Sequence, residues 1–360
     1  MPTVLGRVSR GVHKIDRVRF PDFQPHPLLT NPHAQTLAGV YLPGSKPAYR
    51  ATPRYIHMAD GDQLVLHDDT PSGWRPGSRV VLLIHGLGGS HQSGYMSRIA
   101  SKLNQHALRT FRMDMRGFGA GFGLARHPFH GGRSDDLAAA VEFIARLCPG
   151  SPVTLVGFSL GAGMIIKLLG ELTLEPGNPR ETGEIDSAVA VCPPLDLLHC
   201  SRRMSEPGNR VYNRHFLSLL VSQLRRHRRA RPDSGLSALA RRPRSVYEFD
   251  DLFTGPACGF GTADNYYHQA SAGRFLPHVR LPCLVLKAAD DPLVDHDDPR
   301  DLDLPSCVQW ETTAAGGHLG FIARAGLLPD RRWMDWRVVD WVTRFQGAQS
   351  PAMAAPHAGR

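Results

Sequence analysis

Short apolar runs alternate with longer amphipathic stretches along most of the chain, beginning at residue 79. Arg79–Ile84 (RVVLLI) is apolar after its first residue, which is typical of a strand buried on both faces of a parallel sheet. Helical periodicity follows at Tyr95–His106, and a second strand is predicted at Leu108–Met115. Because strand, helix and strand in this order require a crossover connection, the pattern predicts a parallel, doubly wound α/β sheet.

The same alternation continues to residue 192, stops at Pro193-Pro194, and resumes at Pro282–Ala288. Ser134 and the two aspartates after it mark the start of a helix that ends before Pro149-Gly150. A short strand (QLVLH) is predicted after the turn at Asp60-Gly61. The remaining predicted elements are strands at Pro152–Val156, Ser187–Cys192 and Val308–Thr312 and helices at Leu160–Leu172 and Arg331–Phe345.

The interruption after residue 194 divides the chain into one sheet-forming core and one insertion. Residues 56–194 and 272–346 are predicted to form the core, and residues 195–271 are predicted to form a helical cap inserted into it. Residues 1–55 are rich in Pro, His and Arg without a clear period, so we interpret them as an arm packed on the core. Residues 347–360 have the composition of a flexible tail.

Composition indicates a chain that can form its core without disulfides or a structural metal. It has 360 residues, 42% of them hydrophobic, and a mean hydropathy of −0.25, which excludes the disordered and multi-span membrane classes. The six cysteines form no C-x-x-C pair or zinc-type cluster, so we expect reduced thiols and no metal site. No segment suits a signal peptide or approaches the ~18 apolar residues of a transmembrane helix. The sequence therefore predicts a cytoplasmic protein.

The net charge of +9 comes from 37 Arg and 5 Lys against 33 acidic residues. This skew is more typical of coding bias than of a phosphate-binding design, and we expect no nucleic-acid partner. The densest run, Arg225–Arg231, ends an apolar-faced helix predicted in the cap. Two interpretations of this run stay open: a solvated charged face, or a lid that meets a lipid-like substrate or makes peripheral contact with an anionic membrane surface.

Gly157-Phe158-Ser159-Leu160-Gly161 is the sharpest candidate for catalytic chemistry. A G-x-S-x-G pattern is weak alone, but this one follows a predicted strand and leads directly into a helix. A serine held at strained backbone angles on such a turn needs small residues two positions before and after it, because strand and helix pass closely there. The alternative is a glycine-rich turn with an incidental serine. We interpret Ser159 as a candidate nucleophile.

A serine hydroxyl needs a base and an orienting carboxylate, and both follow at the ends of predicted strands. The strand ending at Ala288 runs into Asp290-Asp291-Pro292, and the next strand is followed by a Gly-Gly-His sequence ending at His318. The order serine, acid, histidine is the one expected when the serine lies on such a turn. We prefer Asp291 to Asp290 as the acid because the proline after it fixes the turn, and we expect His318 to be the base.

Backbone N–H groups at the ends of two strands are candidates for stabilising a negatively charged oxygen. The first apolar strand ends in His85-Gly86-Leu87-Gly88-Gly89, and its glycines allow the backbone to approach a carbonyl group closely. We expect the N–H of Leu87 to act together with that of Leu160, which begins the helix after the candidate nucleophile. The His85 side chain is interpreted as structural.

The glycine-rich run Gly117–Gly123 is a second place to look for a ligand. Its glycines do not fall in the G-x-G-x-x-G register of dinucleotide loops, and Arg126-His127-Pro128 follows in place of a helix. We therefore expect no nucleotide cofactor at this run. The chemistry expected of the serine, acid and histidine requires neither an organic cofactor nor a metal ion.

Several of these segments, and others, carry a resemblance to a known family. They are Asn31–Leu37, His85–Ser90, Arg116-Gly117, Gly132–Leu137, Gly157–Ala162, Phe249–Asp251, Asp264–Tyr267, Ala288–Pro292 and Gly316–Phe321. On these residues the sequence resembles the YheT-like branch of the α/β-hydrolase superfamily, related to the abhydrolase-domain acylglycerol and phospholipid lipases. The resemblance implies an α/β-hydrolase fold with a helical cap. It also implies a triad of Ser159, Asp291 and His318 that acts on carboxylic esters.

Motifs and resemblance together predict a serine hydrolase that cleaves carboxylic esters through an acyl-enzyme. We expect a small-molecule ester substrate of lipid-like character. Two alternatives stay open at this point. One is an acyltransferase that uses the same triad to pass the acyl group to an alcohol or amine. The other is a non-catalytic α/β-hydrolase scaffold that serves as a binding protein.

Overall fold

The apolar runs of the sequence form the centre of one eight-stranded sheet. This computed structural model describes residues 20–174, 184–294 and 301–346, so the first nineteen residues of the predicted arm and the predicted tail at 347–360 lie outside the described residues. The strands are β1 (Thr52–His57), β2 (Gln63–Asp69), β3 (Val80–Ile84), β4 (Arg109–Asp114), β5 (Val153–Phe158), β6 (Ile185–Val191), β7 (Cys283–Ala288) and β8 (Val308–Thr313). They lie in the order β1-β2-β4-β3-β5-β6-β7-β8.

The sheet is parallel wherever the sequence alternates strand with helix. Strands β3 to β8 pair in parallel, and every residue of β3, β5 and β7 is buried. Strands β1 and β2 form an antiparallel pair, and β2 also runs antiparallel to β4. The continuous apolar character of the central strands follows from their burial on both faces. The predicted parallel, doubly wound sheet is confirmed.

Helices cover both faces of this sheet and give it two apolar layers. One layer contains buried side chains of α3 (Ser134–Leu147) and α4 (Leu160–Leu174), and the other contains those of α2 (Gly94–Gln105) and α10 (Trp333–Thr343). The same strands contribute alternate residues to each layer, as the two-residue period of a strand requires. The loops that leave the carboxyl ends of the parallel strands therefore meet at one edge of the sheet.

The predicted arm contains elements that its sequence pattern did not indicate. Helix α1 (Pro32–Tyr41) begins at an N-cap, Asn31, whose side chain accepts hydrogen bonds from the N–H groups of His33 and Ala34. Strand β1 crosses the predicted boundary at residue 55 and belongs to the sheet edge. Four of its six residues are exposed, so an edge strand of this kind gives no apolar run from which it could be predicted.

Only helices lie between β6 and β7, and we call residues 195–271 the helical insertion. Its helices are α5 (Leu197–Met204), α6 (Arg210–Ala230), α7 (Val246–Phe249), α8 (Gly255–Ala257) and α9 (Ala263–Ala270), with a π-helical turn at Asp250–Thr254. Apolar residues of α6, including buried Leu224, pack on Phe249 and Phe253. Part of the basic run contacts the core, since the Arg226 guanidinium lies 4.3 Å from the ring centre of Phe122 in the glycine-rich run.

Two further sequence expectations concern the environment of the protein. All six cysteines are free thiols. Within the described ranges, no helix combines the length and the apolarity that crossing a bilayer would require.

Candidate active site

Ser159 lies on a sharp turn between β5 and α4, with φ at +51°. A Cβ atom on Gly157 would lie 2.6 Å from the carbonyl oxygen of Gly161, and one on Gly161 would lie 2.5 Å from that of His85. Only glycine fits at these two positions, because a backbone carbonyl cannot move aside as a flexible side chain can. The glycines of the motif therefore allow β5, α4 and the loop after β3 to close around Ser159.

The structure brings Ser159, His318 and Asp291 into one hydrogen-bonded line. His318 Nδ1 lies 2.8 Å from Asp291 Oδ2, and His318 Nε2 lies 2.9 Å from Ser159 Oγ. With Nδ1–H donating to the carboxylate, Nε2 is left as the acceptor for the serine hydroxyl. Both partners of the serine are buried. This is the arrangement in which a histidine can remove the proton of a serine hydroxyl.

Asp291 belongs to this hydrogen-bonded line, whereas the neighbouring Asp290 does not. Asp291 Oδ1 accepts the backbone N–H groups of Leu293 and Val294, at 2.8 and 3.1 Å. Burial opposes its charge, but the adjacent His318 and these N–H groups hold the pKa of Asp291 below its ordinary value. Asp290 faces the histidine loop from another side, where its Oδ1 accepts the N–H of Gly317 at 2.8 Å. Asp291 is thus the carboxylate in contact with the imidazole.

The loop after β3 lies directly against the serine turn. A Cβ atom built on Gly86 would lie 3.1 Å from the Ser159 Cβ and 3.7 Å from its Oγ. The backbone N–H groups of Leu87 and Leu160, on either side of this contact, donate to no carbonyl or side chain within the described part of the chain. Two unpaired N–H groups beside a serine hydroxyl can stabilise a negatively charged oxygen formed there.

His85 has a structural environment, as its position before Gly86 predicted. The ring is buried, and its Nδ1 lies 2.7 Å from the carbonyl oxygen of Gly86, while its Nε2 accepts the N–H of Met115. Since Nε2 accepts, the proton of a neutral ring is on Nδ1. Burial also lowers the pKa of His85. The side chain therefore fixes the loop after β3 and takes no part in the line through Ser159.

Helix α1 of the arm holds the loop that contains His318 through two buried residues, Gln35 and Thr36, neither of which was a candidate site residue. Gln35 donates to the carbonyl groups of Leu29 and Ile322 and accepts the N–H of Ile322 at 2.7 Å. Thr36 Oγ1 accepts the backbone N–H of His318 at 2.9 Å. The sequence signal was present in Asn31-Pro32, which is a typical helix start, although nothing local indicated where the helix would dock.

An apolar cavity of about 110 Å³ lies between the sheet and the helical insertion. On the sheet side it is bordered by Leu87 and Leu160, the two residues with unpaired N–H groups. On the opposite side it is lined by insertion residues, mainly leucines and aromatics: Leu197, Met204, Leu220, Leu224, Leu236, Val246, Phe249, Phe253, Tyr266 and Tyr267. An apolar group bound here would therefore lie beside the candidate oxyanion donors.

Burial disfavours the charged form of two ionisable side chains in the cavity wall. Burial raises the pKa of Asp250 to about 6, although the hydroxyl groups of Thr254 and Tyr267 donate to its carboxylate at 2.6 Å each. Burial, together with nearby cations, lowers the pKa of His130 to about 3. His130 is thus a neutral ring near neutral pH, whereas the Asp250 carboxyl titrates near pH 6 within the insertion.

His67, His91 and Asp114 have atoms close enough together to hold a metal ion. Here the two histidines point N–H groups at the same carboxylate, with His67 Nε2 and His91 Nδ1 at 3.0 and 2.7 Å from Asp114 Oδ2. The N–H of Ala120, within the glycine-rich run, also donates to that carboxylate. These hydrogen bonds account for the cluster and for the conformation of the glycine-rich run, and the expectation of no metal and no cofactor stays a prediction.

A profile of the α/β hydrolase fold matches residues 79–325, and the chain belongs to this family. The protein is similar to YheT of Escherichia coli, with 32% identity over 82% of this chain and 85% of that protein. It is also 28% identical to the monoacylglycerol lipase of Saccharomyces cerevisiae, over 81% of this chain and 64% of that lipase. The solved structure of the Pyrococcus furiosus esterase Pf2001 has the same fold, with a TM-score of 0.53 and 17% identity, covering 92% of this chain and 98% of the other. The protein is an esterase- or lipase-like α/β hydrolase.

Proposed function

We propose that the protein is a serine hydrolase that cleaves carboxylic esters through an acyl-enzyme on Ser159, His318 and Asp291. The observation that carries the proposal is the continuous line from Asp291 Oδ2 through the His318 ring to Ser159 Oγ, with both contacts under 3 Å. The positive φ of Ser159, on a turn closed by two glycines, supports it independently.

In the first step Ser159 Oγ attacks the ester carbonyl carbon while His318 Nε2 takes the hydroxyl proton. Asp291 holds the ring in the tautomer that leaves Nε2 free and stabilises the imidazolium that forms. The N–H groups of Leu87 and Leu160 donate to the oxyanion of the tetrahedral intermediate. Collapse of this intermediate forms the acyl-enzyme, and His318 returns the proton to the departing alcohol.

In the second step water attacks the acyl-enzyme with His318 again as the base. A second tetrahedral intermediate collapses to release the carboxylic acid and restores the Ser159 hydroxyl. An alcohol in place of water would give a new ester, so the same acyl-enzyme also serves acyl transfer. Which acceptor reacts depends on access to the acyl-enzyme, and product analysis with and without added alcohol distinguishes the two.

The substrate that we propose is an ester with an apolar acyl group. The cavity beside Leu87 and Leu160 is lined mainly by apolar side chains, and apolar surface there favours a hydrocarbon chain over a charged group. The yeast relative's name, a monoacylglycerol lipase, is consistent with an apolar acyl group. The six free thiols support action in a reducing compartment such as the cytoplasm.

Replacing Ser159 with alanine tests the proposal. We expect Ser159→Ala to lower kcat for p-nitrophenyl esters by about 10⁴-fold or more and to abolish labelling by a fluorophosphonate probe, because the nucleophile is removed. Ser222→Ala, which removes an exposed serine hydroxyl on α6, is the matched control and should retain both activities. Circular dichroism checks that both variants are folded.

Three results would contradict the proposal in different ways. Undiminished labelling of Ser159→Ala would mean that another residue is the nucleophile. Failure of the wild-type protein both to react with the probe and to hydrolyse esters of any chain length would favour a non-catalytic scaffold. Predominant formation of new esters in the presence of an alcohol would favour the acyltransferase.

A further inference from the structure

A groove on the helical insertion brings together four arginines that the proposed reaction does not use. It has a volume of about 680 Å³ and is lined by Arg210 and Arg214 of α6 and by Arg242 and Arg244 of the segment before α7. The α6 residues that line it, including Asn213 and Leu217, have the spacing of one helical face. A volume of this size is typical of a small-ligand site.

None of these four guanidinium groups forms an ion pair with a carboxylate in the described part of the chain. The neighbouring Arg241 differs, since it lies 2.8 Å from the Glu248 carboxylate. That carboxylate also accepts the backbone N–H of Arg244, and this hydrogen bond and the charges of Arg241 and Arg244 help to lower its pKa. Like charges on one helical face repel each other, and Arg210 and Arg214 are one helical turn apart. Their convergence therefore favours an anionic ligand.

The backbone of the groove is fixed by hydrogen bonds of Asn213. Its side-chain amide donates to the carbonyl of Arg244 at 3.1 Å, and its oxygen accepts the N–H of Val246 at 3.0 Å. The segment carrying Arg242 and Arg244 is thereby tied to the helix carrying Arg210 and Arg214. Fixing the backbone keeps the two pairs of arginines within reach of one ligand, which lowers the entropy lost when an anion binds.

We propose that this arginine groove is a binding site for a phosphate group. Guanidinium groups bind phosphate oxygens through two parallel hydrogen bonds, so several of them on one groove match a phosphate better than a carboxylate. The source that the surroundings favour is a lipid headgroup. Val211, which follows Arg210 in the chain, is 67% exposed and offers an apolar contact, and Val246, which follows Ser245 of the groove, lines the apolar cavity.

The test compares two double substitutions that remove the same charge from the same helix. One is Arg210→Ala with Arg214→Ala, in the groove; the control is Arg225→Ala with Arg229→Ala, exposed and outside it. Co-sedimentation is measured with vesicles of phosphatidylcholine containing phosphatidylglycerol and with vesicles of phosphatidylcholine alone. We expect the groove variant to bind the anionic vesicles about 30-fold more weakly than wild type, and the control no more than about 3-fold more weakly.

A calorimetric titration with inorganic phosphate distinguishes the two sources of the group. Phosphate binding that the groove variant loses, without vesicle binding, would support the site with a soluble phosphate compound as its ligand. The proposal is overturned if wild type binds neither probe, if the control weakens binding as much as the groove variant, or if only binding to duplex DNA is lost. Ser159→Ala should bind vesicles as wild type does, so this proposal and the proposed reaction fail separately.

Discussion

The two sides of the candidate active site differ in how their residues are held. On the sheet side, Ser159 and His318 lie in loops closed by backbone contacts that admit only glycine at several positions. On the insertion side, the cavity wall consists mainly of apolar side chains on several helices, two of which, α7 and α8, are joined through a π-helical turn. Reacting atoms must be placed within a fraction of an ångström. An apolar chain, in contrast, is bound in proportion to the apolar surface area that it buries, and this attraction has no preferred direction.

The two sides also differ in the charge state that burial favours. Asp291, on the sheet side, is buried with a histidine and two N–H groups, which lower its pKa. Asp250, on the insertion side, is buried with two hydroxyl groups, which do not offset the loss of water, and its pKa is raised to about 6. A buried carboxylate therefore serves as a fixed charge on one side and as a titrating group on the other.

Replacing Gly161 on the sheet side should have the largest effect on the free energy of unfolding. In Gly161→Ala the new methyl group would lie 2.5 Å from the carbonyl oxygen of His85, so we expect a loss of about 3 kcal/mol in the free energy of unfolding and loss of probe labelling. Gly163→Ala, two residues further along α4, is the matched control. Its methyl group would lie 3.5 Å from the carbonyl oxygen of Pro194, so we expect a change near zero or a gain of about 0.5–1 kcal/mol.

Urea unfolding of the two alanine variants measures this difference directly. Equal stabilities would mean that the turn around Ser159 can relax to accept a side chain at residue 161.

The pH dependence of the free energy of unfolding should change in opposite directions when Asp250, on the insertion side, and Asp291, on the sheet side, are replaced. Between the ordinary pKa of 3.8 and about 6, the folded chain keeps a proton at Asp250 that the unfolded chain releases, so this group's contribution to stability is lost as pH rises. Asp250→Asn should therefore gain up to about 3 kcal/mol relative to wild type between pH 4 and pH 7. Asp291→Asn should instead lose stability relative to wild type as pH rises from about 3 to about 5, because the pKa of Asp291 is lowered in the folded chain and its contribution develops as the unfolded carboxyl ionises near 3.8.

Urea unfolding at pH 4 and pH 7 gives the difference for Asp250→Asn, and unfolding at about pH 3 and pH 5 gives that for Asp291→Asn, with each variant at its lower pH as its own reference. Stability differences of the same sign for the two variants would contradict the contrast between the two sides.

How much of the molecule the sequence predicts depends on how local the determining contacts are. Ser159, Asp291 and His318 follow from short motifs at the ends of apolar strands, and the structure places them together. The contact of Thr36 with His318 joins residues 282 positions apart, and no local pattern specifies such a pair. The arginine groove was also missed, because its members come from two segments whose approach depends on tertiary packing, whereas the predicted basic run at Arg225–Arg231 was the densest in sequence.

Thr36 offers the smallest but most specific test of how the sheet side is held. Its hydroxyl accepts the backbone N–H of His318 and donates to the carbonyl of Pro32 at 2.8 Å, so it connects α1 to the candidate base without touching Ser159. Thr36→Val keeps the shape but removes the acceptor, leaving a buried N–H unpaired. We expect kcat to fall about tenfold, corresponding to about 1.4 kcal/mol, with KM little changed, since the cavity that receives the acyl group is lined by other residues. Thr36→Ser restores the acceptor and should recover most of kcat. A change in KM with kcat unchanged, or no recovery of kcat in Thr36→Ser, would mean that α1 supports the fold without positioning His318.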